Sequence, residues 1–227
     1  MKIWHIFVCS LVLLPACREE NRYLRWGKDV FYQSEKQFSY RAFEDTHIRS
    51  LRIYDQLTTL GLFDALWLSK EVRTLYSKEQ AALYGYNQER YDSFLEKQLD
   101  ESNKEIGFYI LASMPHAQDL LLTDETSPWT LYLRVNGESY APKKVTVVDL
   151  PTPYQKFFGK RYSSARKIYY VSFSAQKEDG SVIITSSTSS LSLCFHMIGN
   201  VDECVAWKVR PSVECCSNNP NMLAYDM

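Results

Sequence analysis

From Lys104 onward the chain is cut into short runs of strand composition separated by turn residues, and this punctuation limits the fold more than any other feature. Segments 106–114, 129–135, 144–150, 166–175, 181–187, 190–198 and 203–210 carry β-branched, aromatic and apolar residues. Between them stand Pro115, Ser127-Pro128, Asn136-Gly137, Pro151 to Pro153, Asp179-Gly180 and Gly199-Asn200. Seven short strands at this spacing predict an antiparallel β-sandwich, immunoglobulin-like or of a related topology. The clearest is Trp129 to Val135, where alternate residues are apolar and the others face water.

Upstream the pattern differs. Leu51, Ile53, Leu57 and Thr59 alternate with Arg52, Tyr54, Gln56 and Thr58; after Gly61, Phe63, Ala65 and Trp67 resume the alternation, so Ile48–Leu68 reads as one long or bulged strand. Ser69 can then cap a helix carrying Val72, Leu75, Tyr76 and Leu83 and closed by Gly85. A second helix, about 88–103, places Tyr91, Phe94, Leu95 and Leu99 on one side. The expected fold is therefore α+β, mainly β: one sandwich domain over 46–210 with a helical hairpin inserted at about 69–103, preceded by a tether at 17–45 and followed by a tail at 211–227.

The first 16 residues have the parts of a secretory signal: Lys2 near the start, an apolar run from Ile6 to Leu14 and a small residue before a cut. The run is far shorter than the roughly 20 residues of a membrane-spanning helix. Leu14-Pro15-Ala16-Cys17 resembles the lipobox of bacterial lipoproteins, with Leu14 three before the cysteine, Ala16 just before it and Pro15 a less usual middle residue. The resemblance implies that Cys17 carries a thioether-linked diacylglycerol and an amide-linked acyl chain such as palmitate. The membrane would then be a partner through that anchor. Arg18 stands where some Gram-negative lipoproteins carry an inner-membrane retention aspartate, so the resemblance favours the outer membrane over the inner. The alternative is an ordinary secretory signal followed by a coincidental cysteine. The body, at Thr58 to Leu68 with its following helix and at Trp129 to Val135, is weakly similar to uncharacterised bacterial envelope lipoproteins. That likeness implies no activity.

Cys9 falls in the signal, leaving Cys194, Cys204, Cys215 and Cys216 as disulfide candidates in an oxidising compartment. Alternation puts Leu191, Leu193, Phe195 and Met197 on one face, with Cys194 and His196 on the other. In the next strand Cys204 lies opposite Val205, Trp207 and Val209. A loop at Ile198, Gly199 and Asn200 sets Cys194 across from Cys204, so a cross-strand bridge is one option. The other has Cys215 and Cys216 each reach back to one of that pair, stapling the tail from Pro211 to the last hairpin. The stapled arrangement is slightly favoured because it leaves no strained ring between adjacent cysteines. Zinc at Cys194 and His196 is the weaker reading, since no C-x-x-C pair accompanies them, and no metal or other cofactor is expected.

With 26 basic and 27 acidic residues, nothing in the charge favours nucleic acid. The sequence lacks G-x-S-x-G, a phosphate-cradling glycine loop and H-E-x-x-H. His47, His116 and His196 fall in different elements. The acid pairs Asp100-Glu101, Glu178-Asp179 and Asp202-Glu203 sit at helix ends and turns, where solvated charge is the ordinary explanation. The aromatics are the better lead: Tyr132, Tyr140, Tyr154, Tyr162 and Tyr169 are expected on outward strand positions or in loops. The candidate binding loop is 152–162, with Tyr154, Phe157, Phe158, Lys160, Arg161 and Tyr162, although the phenylalanines would equally plug the end of the sandwich. The leading expectation is a non-enzymatic structural or protein-interaction role in the envelope. A glycan- or ligand-binding module using exposed Tyr comes second and an envelope hydrolase third.

Overall fold

The computed structural model describes residues 40–114, 122–124, 126–197, 199 and 202–209. The signal segment, Cys17, most of the tether, His116, and the tail with Cys215 and Cys216 lie outside the described residues. From Asp45 onward the chain forms one compact unit.

Two antiparallel sheets build it. The strands are β1 (Ile48–Asp55), β2 (Thr58–Trp67), β3 (Glu105–Ser113), β4 (Trp129–Val135), β5 (Glu138–Tyr140), β6 (Lys144–Val147), β7 (Lys167–Ser174), β8 (Ser190–Met197) and β9 (Glu203–Lys208). The first sheet has the order β1-β2-β3-β7-β6 and the second β5-β4-β8-β9. Helices α1 (Lys70–Tyr84) and α2 (Gln88–Lys104) enter between β2 and β3, and the short α3 (Thr152–Phe158) between β6 and β7. None of the described helices is long and apolar enough to cross a membrane. The architecture is thus mainly-β α+β and consistent with a sandwich.

The strand periods explain the core. In β4 every second residue, Trp129, Leu131, Leu133 and Val135, is buried, and the residues between them are exposed or half-buried. Ile53, Phe63 and Ala65, Phe108 and Ile110, Tyr169, Val171 and Phe173, and Leu191, Leu193 and Phe195 complete the interior from both sheets. Phe63 stacks on Phe195 with ring centroids 4.3 Å apart and meets Trp129 edge-on at 5.1 Å, so the first sheet touches two strands of the second through one ring. At one side the sheets also meet through Arg49, whose Nε donates to Ala206 O at 3.0 Å, and Trp207, whose Nε1 donates to His47 O at 2.7 Å.

The helical hairpin forms as its caps dictate. The Ser69 hydroxyl accepts from Val72 N at 3.3 Å, Gly85 ends α1 at φ +63°, and the Asn87 side chain accepts from Arg90 N at 3.0 Å to start α2. A second apolar layer lies outside the sandwich core. Leu66 and Leu111 on the outer face of the first sheet are buried, as are Val72 of α1 and Tyr154, Phe157 and Phe158 of α3.

Two expectations for strands need correction. Ile48–Leu68 is not one long strand but the hairpin β1–β2, turning at Gln56 and Leu57. The register shift between Ile53 and Tyr54 supplies the bulge, and Leu57 stands wholly in solvent at the tip. Segment 181–187 forms only an isolated bridge, Gln176 to Val182. There Thr188 Oγ1 accepts from Thr185 N at 3.0 Å and Thr188 N donates to Thr185 O at 3.1 Å, local bonding that competes with a strand ladder.

Gly61 does not interrupt β2; it lies opposite Ile53 in the hairpin. A Cβ there would come within 2.5 Å of the Phe63 ring and 3.1 Å of Trp129, and Phe63 is pinned by Phe195. Gly61→Ala is therefore expected to lower stability by about 1–3 kcal/mol through overpacking. Urea unfolding checks this, and an unchanged midpoint would refute the crowding argument.

Candidate functional site

The helices cover the outer face of the first sheet, whereas on the outer face of the second a polar network is exposed. Its side chains come from alternation: Tyr132 and Arg134 point outward from β4, Cys194 and His196 from β8, and Cys204 from β9. Register aligns Thr130 with His196, and Tyr132 with Cys194, which faces Cys204. Asp202, just before β9, is the hub. Its carboxylate accepts from Tyr132 Oη at 2.5 Å and pairs with His196 Nδ1 at 2.7 Å. Arg134 Nη2 donates to Tyr132 Oη at 3.0 Å and lies 3.7 Å from the carboxylate. The Tyr132 bond, then the His196 bond, hold the Asp202 carboxyl below its ordinary range, while burial and that same bond raise the Tyr132 phenol. On the neighbouring strand β5, Glu138 pairs with Lys177 at 2.6 Å and accepts from Tyr140.

Beside this network the structure bonds Cys194 to Cys204, with Cα atoms 4.1 Å apart. This corrects the favoured staple to Cys215 and Cys216. The two cysteines occupy one cross-strand rung with the close spacing of a non-hydrogen-bonded pair, so neither has to reach to the tail. Cys194 is fully buried and Cys204 exposed. Both sulfurs are committed to each other, so Cys194 and His196 do not form a thiolate–imidazole pair for a metal. Among the described residues no three His, Cys, Asp or Glu side chains group as a metal site.

The 152–162 segment folds as the short helix α3 and a following turn rather than as an open loop. Tyr154, Phe157 and Phe158 are buried in α3, and Tyr154 stacks on Tyr76 of α1 at 4.3 Å and meets Tyr109 of β3 at 4.8 Å. Burial pushes the Tyr109 phenol up to about 12 and raises that of Tyr154 well above its ordinary value. Arg161 turns inward to Ser50 and to Asp64 at 3.3 Å, and Arg166 binds Asp64 and donates to Leu111 O at 2.5 Å and Leu62 O at 3.2 Å. Of the six candidate residues only Lys160 is exposed, with Arg161 and Tyr162 half-buried. The reason is physical: a seven-residue helix places Tyr154, Phe157 and Phe158 on one face, and that face closes on the sheet. Tyr169 is likewise buried in the core rather than outward, its Oη accepting from Leu122 N at 3.4 Å.

Alternation in the sequence places Cys194, His196 and Cys204 on one face and Tyr132 at an outward position, but Asp202 reads there as solvated charge, so the hub is not visible. Glu101 is missed for the same reason. That carboxylate, with Gln98, receives the buried Arg73 guanidinium at 3.0 and 3.2 Å. Neither excursion has a spacing signal, because each partner comes from a different element. Two shallow grooves lie elsewhere, lined by α2 and the turn before it, including Tyr86, Arg90 and Phe94 in one and Glu96, Asp100 and Lys104 in the other.

Fold and surface together define a mainly-β α+β protein of two antiparallel sheets, with helices on one outer face and a hydrogen-bonded polar network on the other. No protein-family model matches the chain, and no curated protein or solved structure matches it either.

The Asp202 bonds are strongest to the ionised carboxylate. Their stabilisation is thus present above the unfolded value near about 4 and is lost as pH falls through the lower folded value. Tyr132→Phe, which removes the largest cause of the shift, should move the Asp202 midpoint upward toward the ordinary value. A carboxyl NMR titration reads it; an unmoved midpoint contradicts the assignment of Asp202 as hub.

Proposed function

We propose that the protein is a lipid-anchored component of a bacterial cell envelope with a non-enzymatic structural or protein-interaction role. The observation that carries this reading is the Cys194–Cys204 disulfide in a chain whose N-terminus has the parts of an export signal ending in Leu14-Pro15-Ala16-Cys17. Disulfides persist in oxidising compartments outside the cytoplasm, which is where a lipobox would send the chain. Two acyl chains on Cys17 would give stable rather than marginal membrane attachment, because each buried methylene adds about 0.8 kcal/mol. Arg18 after the cysteine supports the outer membrane over the inner.

The non-enzymatic part rests on the geometry of the polar network. Asp202 is engaged by Tyr132 and His196 with Arg134 alongside, on an open sheet face, and the neighbouring sulfurs are bonded to each other. Covalent catalysis needs a free nucleophile beside the base, and the sulfurs next to His196 are bonded to each other. A glycan-binding role loses two of its five rings, since Tyr154 and Tyr169 are buried.

Cys17→Ala tests the anchor. The variant is expected to lose incorporation of labelled palmitate and to move from the detergent phase to the aqueous phase in a Triton X-114 partition. Retained label in the variant would overturn the lipoprotein reading.

A further inference from the structure

The second sheet makes the two ends of its disulfide chemically unequal. Thiol–disulfide exchange proceeds by attack of a thiolate on one sulfur, in line with the departing sulfur, so the direction of approach decides which cysteine is attacked. In the strand order β5-β4-β8-β9 the Cys194–Cys204 bond runs between β8 and the edge strand β9. A thiolate attacking Cys204 comes from the β9 side, where no further strand of that sheet follows among the described residues and where Cys204 is exposed. One attacking Cys194 has to come from the β4 side. There the directly opposed residue is Tyr132, half-buried and held down by Asp202 and Arg134, and Cys194 itself is fully buried.

We propose that Cys204 is the site at which this disulfide exchanges with external thiols and disulfides, and that Cys194, shielded by Tyr132, is the leaving and resolving sulfur. The partner this fits is a small thiol, or a dithiol oxidoreductase of the compartment in which the protein folds. In opening, the external thiolate bonds to Cys204 Sγ and the Cys204–Cys194 bond breaks. Its electron pair leaves on Cys194 Sγ, which takes a proton from water. A second thiol, on the same molecule for a dithiol or on a second molecule for a small monothiol, then displaces Cys204 from the mixed disulfide. The attacker leaves oxidised and both cysteines remain as thiols. Closing is the reverse: the exposed Cys204 thiolate attacks a donor disulfide, expelling one donor sulfur as a thiol, and the Cys194 thiolate displaces the other to make the cross-strand bond. The assignment does not depend on whether Cys17 carries lipid.

The test uses the full chain with Cys9→Ser, Cys17→Ser, Cys215→Ser and Cys216→Ser in every variant, so that Cys194 and Cys204 are its only cysteines, and glutathione as the probe. Native disulfide is exposed to reduced glutathione, quenched with acid and mapped by peptide mass spectrometry. The mixed disulfide is expected on the Cys204 peptide, and equal labelling or an excess on Cys194 would overturn the proposal. Single-thiol variants then give the rates with oxidised glutathione. Cys194→Ser, which leaves Cys204, should react at least ~10-fold faster than Cys204→Ser, which leaves Cys194. Adding Tyr132→Ala to Cys204→Ser should recover most of that difference. If the Cys194 thiol is no faster without the ring, the shielding role of Tyr132 is wrong. Mapping on the native protein decides the site even where a single-thiol variant is poorly folded.

Discussion

Phe63 holds the two sheets to a common frame. Its ring crosses from β2 to stack on Phe195 of β8 and to meet Trp129 of β4. Strand side chains alternate, so an inward Phe195 forces Cys194 and His196 outward, and the antiparallel rung from Phe195 to Leu131 forces Tyr132 outward beside them. The same parity carried one strand further sends Cys204 out with Cys194, opposite an inward Val205 and Trp207. The exposed network and the disulfide are thus consequences of a buried aromatic contact. A one-residue slip in β8 would bury His196 and expel Phe195, at the cost of both a desolvated imidazole and a lost aromatic stack.

The two outer faces diverge because only one is covered. On the first sheet Leu66 and Leu111 are outward, apolar and buried, and Tyr76, Tyr109, Tyr154 and Tyr170 pack between helix and sheet. Within this layer Arg73 is almost wholly buried yet bonded to Leu68 O, Gln98 and Glu101, tying α1 to the end of β2 and to α2. Removing one partner of such a group is costly because it leaves a charge without compensation. Outward residues of the second sheet include Tyr132, Arg134, Ser192, His196 and Lys208, too polar to be buried under a helix without many matched partners. Tyr132, Arg134 and His196 gather on Asp202 at the surface instead. Five tyrosines thereby serve packing, with Tyr76, Tyr109, Tyr154 and Tyr170 in the covered layer and Tyr169 in the core.

Local periodicity made part of this legible. Trp129 to Val135 has a strict period of two with turn residues on both sides, and β4 has those bounds. Ser69, Gly85 and the apolar spacing between them carried α1 in the same way. The β1–β2 turn was not legible because Gln56 and Leu57 are poor turn residues; Gln56 adopts φ +51°, a region that favours glycine, with no side-chain signal to announce it. In 152–162 composition misled, because exposed-looking cations and rings are separated by helical rather than strand spacing, and the rings fall on the buried side. The sulfur pairing turned on distance. Alternation put Cys194 opposite Cys204, but only the close rung makes that bond direct and the reach to the tail unnecessary.

The disulfide joins β8 to an edge strand of the second sheet. β9 is a six-residue strand that, among the described residues, bonds within its sheet only to β8; Val205 and Trp207 anchor it in the core, and the bonds from Arg49 to Ala206 O and from Trp207 to His47 O tie it to the start of the first sheet. An edge strand of this kind exposes unpaired backbone groups and is prone to fray. A covalent rung at Cys194–Cys204, followed outward by the Asp202–His196 pair across the same hairpin, restrains the strand at its first residues. The covalent link acts chiefly on the open state by limiting how far β9 can separate from β8. The fold therefore takes part of its local stability from a bond that reducing surroundings would remove, which ties the last strand of the second sheet to the redox state of its compartment.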